Sequence, residues 1–224
     1  MNKPPISVLK FGGTSVKNLG RIQHVAEIVR DRLGAALDKN ETLDKSKKQK
    51  ILVVVSAMGD TTDYLLKLGA QCSRTPDKRE LDSLLSTGEQ ISITLLALTL
   101  KEMGISARSF TAPQIGIFTE KVHSKARIVD INSDNLNHAL EDHDVLVVAG
   151  FQGVTADGDI TTLGRGGSDT TACALAAAIN ADVCDIYTDV DGIYTADPNV
   201  ISEAKLLKRV SYGEVIEMAR LGAQ

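Results

Sequence analysis

The chain has 224 residues, of which 43% are apolar, 24% charged and 4% aromatic. This is enough apolar chain for a substantial core, and it excludes disordered and collagen-like classes. With 25 Lys and Arg against 29 Asp and Glu the formal charge is −4, so no general field draws in nucleic acid or anionic lipid, and a bound anion needs a local site. No apolar run reaches the roughly 18 to 20 residues of a membrane span, and Met1–Pro5 leads directly into an apolar strand rather than a signal peptide. A cytoplasmic protein that binds neither nucleic acid nor membrane is expected.

In chain order, Ile6–Phe11 reads as a short strand, Gly12–Ser15 as a glycine turn, and Ile22, Val25, Ile28, Val29 and Leu33 recur at helical spacing from Asn18 onward. Asp38–Lys50 is polar and lysine-rich and reads as a solvated loop or helix extension. Ile51–Val55 is apolar without alternation, as parallel strands covered on both faces are. Helical spacing returns through Tyr64, Leu65 and Leu68, and again from Leu81 to Met103, with an interruption predicted at Ser86–Glu89 because of Gly88.

Val145–Ala149 is a further buried strand and Thr155–Asp159 the tip of a hairpin. An Ala-rich helix is expected over Thr170–Asn180, with Ser168 or Asp169 as its cap, then a strand over Val183–Tyr187 and a helix over Tyr212–Leu221. Strands alternating with helices predict an α/β fold around a largely parallel sheet, in one domain. Cys72, Cys173 and Cys184 form no CxxC pair and read as reduced interior thiols, and His24, His123, His138 and His143 show no metal-ligand spacing. No catalytic cysteine and no metal ligand is assigned.

Two segments can hold anions. Lys10–Phe11–Gly12–Gly13 places a cation and two glycines between a strand and a helix, where backbone amides can approach an oxyanion; a plain tight turn with a solvated lysine fits the glycine spacing equally well. No G-x-x-x-x-G-K-[ST] pattern occurs. Gly164–Arg165–Gly166–Gly167–Ser168–Asp169 is a second such entrance, with Arg165 able to clamp a carboxylate or phosphate. Two of them at strand ends favour a ligand site, and two facing anions are what phosphoryl transfer requires. Thr188–Pro198 offers acids and Tyr194 to a nucleotide, although Asp–Gly and Asp–Pro pairs favour a turn by spacing alone. Glu89 can bind an amine, although a lone helix Glu is usually solvated.

Taken together, Val8–Ser15 (VLKFGGTS), Val55–Gly59 (VSAMG), Ser86–Glu89 (STGE), Thr162–Asp169 (TLGRGGSD) and Tyr187–Pro198 (YTDVDGIYTADP) closely resemble aspartate kinases of the amino-acid kinase superfamily. The resemblance covers nearly the whole chain. It implies a three-layer αβα sandwich that transfers the γ-phosphoryl group of MgATP to the side-chain carboxylate of L-aspartate, the first step towards lysine, threonine and methionine. By motif position it assigns Lys10, Phe11, Gly12, Gly13, Thr188, Asp189 and Tyr194 to ATP. It assigns Ser56, Thr62, Glu89, Arg165, Gly166, Gly167 and Ser168 to L-aspartate, and Lys10 and Asp169 to catalysis.

ATP with Mg²⁺ is the implied cofactor, and a homo-oligomer is a further expectation. A carboxylate acceptor is already ionised at neutral pH, so the absence of an obvious general base agrees with this reading. Asn199 stands where many members of the family carry Arg or Lys, a departure that takes one candidate phosphate contact out of the nucleotide loop. The chain stops at Gln224, so residues 1–224 are expected to be an incomplete catalytic domain without the paired ACT domains of the family. The alternatives left open are another kinase of the superfamily and a truncated, non-catalytic binding module.

Overall fold

The computed structural model describes residues 4–37 and 49–220. Two compact units, Met1–Thr188 and Asp189–Gln224, divide the chain. The first is built on a five-stranded, all-parallel sheet of β1 (Ile6–Phe11), β2 (Lys50–Val55), β3 (Ala107–Phe110), β6 (Val145–Ala149) and β9 (Val183–Tyr187), in the order β3-β6-β2-β1-β9. A second sheet carries β4 (Ile117–Thr119), β5 (Ile128–Ile131), β7 (Gln152–Val154) and β8 (Ile160–Thr162) in the order β5-β4-β7-β8.

Side-chain alternation along the central strands builds two cores. Leu9, Phe11, Ile51, Val53, Val55, Val145 and Val147 face one side, where they pack on α1 (Leu19–Leu37) and α3 (Lys78–Glu102). Val8, Leu52, Val54, Leu146 and Val148 face the other, against α4 (Ala112–Ile115), α5 (Ser133–Asp142) and α6 (Gly167–Ala178). This is the expected three-layer αβα sandwich. The strands read as uninterrupted apolar runs because both faces are covered.

Local chemistry sets the helix starts. Asn18 Oδ1 accepts from Arg21 N at 3.0 Å at the head of α1, and the Asp77 carboxylate accepts from the amides of Arg79 and Glu80 at the head of α3. Helix α2 (Thr61–Cys72) packs on α3 through Gly69, which lies against Leu81. The polar stretch 38–48 lies outside the described residues. Lys50, predicted within that loop, instead opens β2 and donates to His143 O at 3.0 Å.

Three expectations are corrected. Helix α3 runs unbroken through Gly88, because this glycine allows close approach rather than a bend: a Cβ there would lie 2.9 Å from Ala57 Cβ and 3.3 Å from Thr61 Cγ2. The 25-residue helix that results is long and apolar enough to cross a membrane, which no run in the sequence suggested, but half of its most apolar stretch is buried against the core. The Gly88→Val variant is expected to lose about 2–3 kcal/mol through overpacking, read as a lower urea midpoint with an unchanged slope; full stability would refute the packing role.

Second, α6 begins at Gly167, capped by Gly166 in the left-handed region (φ 72°) rather than by Ser168 or Asp169. A side chain at Gly166 would strain that backbone. Third, Cys72 and Cys173 are exposed rather than interior. Cys173 stands off the buried face of α6, which is Gly167, Ser168, Thr171, Ala172 and Leu175, and α2 has no buried residue at all. Cys184 is half-buried, and burial first, then Cys173 and nearby acids, push its thiol up to about 11.

In the second unit, a Tyr194–Leu206 bridge and α7 (Tyr212–Arg220) are the ordered elements. The entrance to α7 is a capping box: Ser211 N donates to Glu214 Oε2 at 2.7 Å, and Glu214 N donates back to Ser211 Oγ at 3.3 Å.

Candidate active site

The C-terminal ends of β1, β2 and β6 open onto one cleft of about 280 Å³, built wholly from the first unit. Its walls include Lys10, Gly12, Gly13, Ser56, Thr62, Glu89, Arg165, Gly166, Gly167, Ser168 and Asp169. Eleven of the residues singled out from sequence thus come together from five separate segments. Ligands in open α/β sheets bind at such strand ends.

Strand alternation places Lys10 on the same face as Ile6 and Val8, towards α6, whose first turn carries Asp169. Lys10 Nζ lies 2.7 Å from Asp169 Oδ1. The contact is a close ion pair that joins the end of β1 to the first turn of α6. Lys10 is 8% exposed, a charge kept at the cleft floor by one carboxylate.

Glu89 is carried in by the unbroken α3 and held against the end of β2, where Ala57 N donates to its Oε1 at 3.1 Å. Its second oxygen, Oε2, is buried with no hydrogen-bond partner. Burial first, opposed by backbone hydrogen bonds, raises the carboxyl from its ordinary 4.5 to about 7. A buried acceptor without a donor is costly and asks for a cation or donor from a ligand.

Across the cleft, Arg165 is exposed, and among the described residues no carboxylate pairs with it. Ser56 Oγ donates to Ser168 Oγ at 2.9 Å, joining the ends of β2 and the start of α6. The cleft therefore offers a charged lysine, an unpaired guanidinium, two linked hydroxyls and a half-satisfied carboxylate.

Four of the residues singled out lie elsewhere. Phe11 is 1% exposed and stacks on Tyr187 with centroids 4.5 Å apart, so only its backbone can meet a ligand. Thr188 ends the first unit, and Asp189 and Tyr194 belong to the second, where Tyr194 OH donates to Asp191 Oδ2 at 3.3 Å. One wall residue of the cleft and one support outside it were missed. Phe151 forms part of the wall at a positive φ of 67°; its position directly after the strand-ending Gly150 was the available signal. Asp82 braces the Arg165 loop from behind and had no sequence signal beyond its place one helix face from Glu89.

Residues 5–224 match the amino acid kinase family, and the chain belongs to that family. It is 52% identical over 218 residues to the aspartokinase of Geobacillus stearothermophilus, matched over 97% of this chain and 51% of that protein. The chain thus spans about half the length of the curated relatives it matches. Among solved structures it superposes on aspartate kinase from Synechocystis with a TM-score of 0.79 at 46% identity, covering 97% of this chain and 34% of that one. E. coli aspartokinase III in complex with aspartate and ADP gives a TM-score of 0.79 at 28% identity over 97% of this chain and 57% of that one.

Proposed function

We propose that this chain carries the larger part of an aspartate kinase catalytic domain, which transfers the γ-phosphoryl group of MgATP to the side-chain carboxylate of L-aspartate. The observation that carries this reading is the pairing, across one cleft, of the orphaned Glu89 Oε2 with the unpaired Arg165. An amino acid presents an ammonium to the first and a carboxylate to the second, whereas a nucleoside monophosphate offers Glu89 only neutral donors. Identity of about half with aspartokinases supports the choice of amino acid.

In the proposed reaction Arg165 takes the α-carboxylate through parallel hydrogen bonds, Glu89 takes the α-ammonium, and Ser56, Thr62, Ser168 and the amides of Gly166 and Gly167 fix the remaining orientation. The side-chain carboxylate, already ionised, attacks the γ-phosphorus; the bond to the ADP oxygen breaks, and 4-phospho-L-aspartate and ADP leave. No proton has to be removed. Lys10 neutralises charge building on the transferring phosphoryl group, with the backbone at Phe11, Gly12 and Gly13 around the phosphates, and Asp169 holds the lysine in line.

Thr188, Asp189 and Tyr194 keep their resemblance-based assignment to the nucleotide, and Mg²⁺ enters as part of the MgATP substrate. The reading places the chain in the cytoplasm at the head of lysine, threonine and methionine synthesis, with self-association and ACT domains as properties of the whole protein.

An acyl phosphate is trapped by hydroxylamine as a hydroxamate. Purified chain with MgATP and L-aspartate is expected to yield hydroxamate that depends on both substrates. ADP release indifferent to L-aspartate, or hydroxamate formed equally from L-glutamate, would overturn the assignment.

A further inference from the structure

Asp82 is fully buried, with a relative exposure of 0%, yet it lines no part of the cleft. Its carboxylate gathers donors from two segments about 40 and 80 residues away. Oδ1 accepts from Thr162 Oγ1 at 2.7 Å and Ser124 N at 3.1 Å; Oδ2 accepts from Ser124 N at 2.9 Å, His123 Nδ1 at 3.0 Å and Thr162 N at 3.1 Å. The carboxylate is acceptor-only, so His123 carries its proton on Nδ1 in this contact.

These donors are the supports of the Arg165 loop. Thr162 is the last residue of β8, three positions before Arg165, and Thr162 O in turn accepts from Ala126 N at 2.9 Å. Ser124 is held in the left-handed region (φ 70°), a strained setting for a serine, and its carbonyl lies 3.4 Å from where a Gly164 side chain would begin. The 123–126 turn, the end of β8 and the root of the glycine loop are thus fastened to a single side chain.

That side chain stands on the helix that delivers Glu89. Seven residues are two turns, about 10 Å along an unbroken helix and on one face. A buried carboxylate is a poor way to add stability, because apolar packing of the same volume often does as well. What it supplies is direction, since several donors at fixed angles admit one placement.

We propose that Asp82 is a positioning residue that sets the span between Glu89 and Arg165, and so the length and register of the amino acid held between them. This rests on the reading of those two groups as the substrate clamp. Thr162→Val removes one donor and keeps the backbone amide, Thr162→Ser restores the hydroxyl, and Asp82→Asn turns part of the acceptor into a donor facing other donors.

The test is the affinity of the purified chain for L-aspartate and, separately, for MgADP. Thr162→Val is expected to weaken L-aspartate about tenfold and Asp82→Asn about thirtyfold or more, the range for a lost charged hydrogen bond, with MgADP unchanged and Thr162→Ser close to the parent. Equal losses for both ligands, or an unchanged L-aspartate affinity in folded Thr162→Val, would overturn the proposal, and Thr162→Val decides should Asp82→Asn not fold.

Tryptic cleavage after the exposed Arg165 separates this proposal from the substrate reading. If the parent chain binds no L-aspartate, the substrate reading fails on its own. The hold on the loop is then judged by cleavage, expected to quicken several-fold in Thr162→Val and not in Thr162→Ser; an unchanged rate sinks it.

Discussion

Lys10→Ala is expected to lower aspartate-dependent hydroxamate formation by roughly 10³-fold, within the range seen when a preorganised charge or donor at a transition state is removed. The side chain is 8% exposed, on the cleft floor, and bound to Asp169 at 2.7 Å. Its position is therefore defined before any ligand arrives, and no reorganisation is required as charge builds on the phosphoryl group. The loss should fall on kcat, with MgADP affinity changed far less.

Lys10→Arg is not expected to rescue activity. A planar fork is longer and differently shaped than a point charge, and the Nζ atom already lies 3.5 Å from where a Gly12 side chain would begin. Turnover measured over a range of MgATP concentrations up to saturation decides the matter. A raised KM at unchanged turnover would mean that Lys10 only holds the nucleotide.

Glu89→Gln should produce the second large effect, and its two parts have opposite signs. The carboxyl is raised from 4.5 to about 7 by burial in the folded chain, so the folded state holds its proton more tightly than the unfolded state. The stability linked to this group is fully present below about pH 4.5 and is lost as pH rises through about 7. The neutral amide escapes that loss. Free Glu89→Gln should therefore be more stable than the parent at pH 8, by up to roughly 3 kcal/mol, and within about 1 kcal/mol of it at pH 5, as read by urea unfolding.

Binding runs the other way. An ammonium on Oε2 needs the ionised carboxylate, so parent affinity for L-aspartate should fall about tenfold per pH unit below about 7, and binding at pH 7 should release protons. Glu89→Gln should bind L-aspartate on the order of 100-fold more weakly at pH 8 and lose the pH dependence. Calorimetry in buffers of different ionisation enthalpy measures both. A parent chain that binds without proton release, or a variant that binds as tightly, would remove Glu89 from the clamp.

Much of this protein is written in short-range pattern. The apolar runs 51–55 and 145–149 read as strands covered on both faces, and they form the middle of the parallel sheet. The glycine-rich entrances at 12–13 and 164–167 follow strands, and the fold brings the cation beside each to the same cleft. The order of those motifs was sufficient to indicate the family, because each is a contiguous stretch legible without its distant neighbours.

Tertiary structure decided the rest, wherever the deciding contact lay far along the chain. Gly88 looked like a helix breaker, but its partner is Ala57 in the turn that follows β2, and packing overrode propensity. Residues 104–144 show no clear period, because their strands β3, β4 and β5 are three or four residues long, too short to reveal one without the partners that pair them. Glu89 and Asp82 are acids on one helix, of which the sequence motif singles out only the first. One is an orphan facing a cleft and the other a fully satisfied anchor, and only the surrounding fold, through burial and the donors it brings within reach, tells them apart.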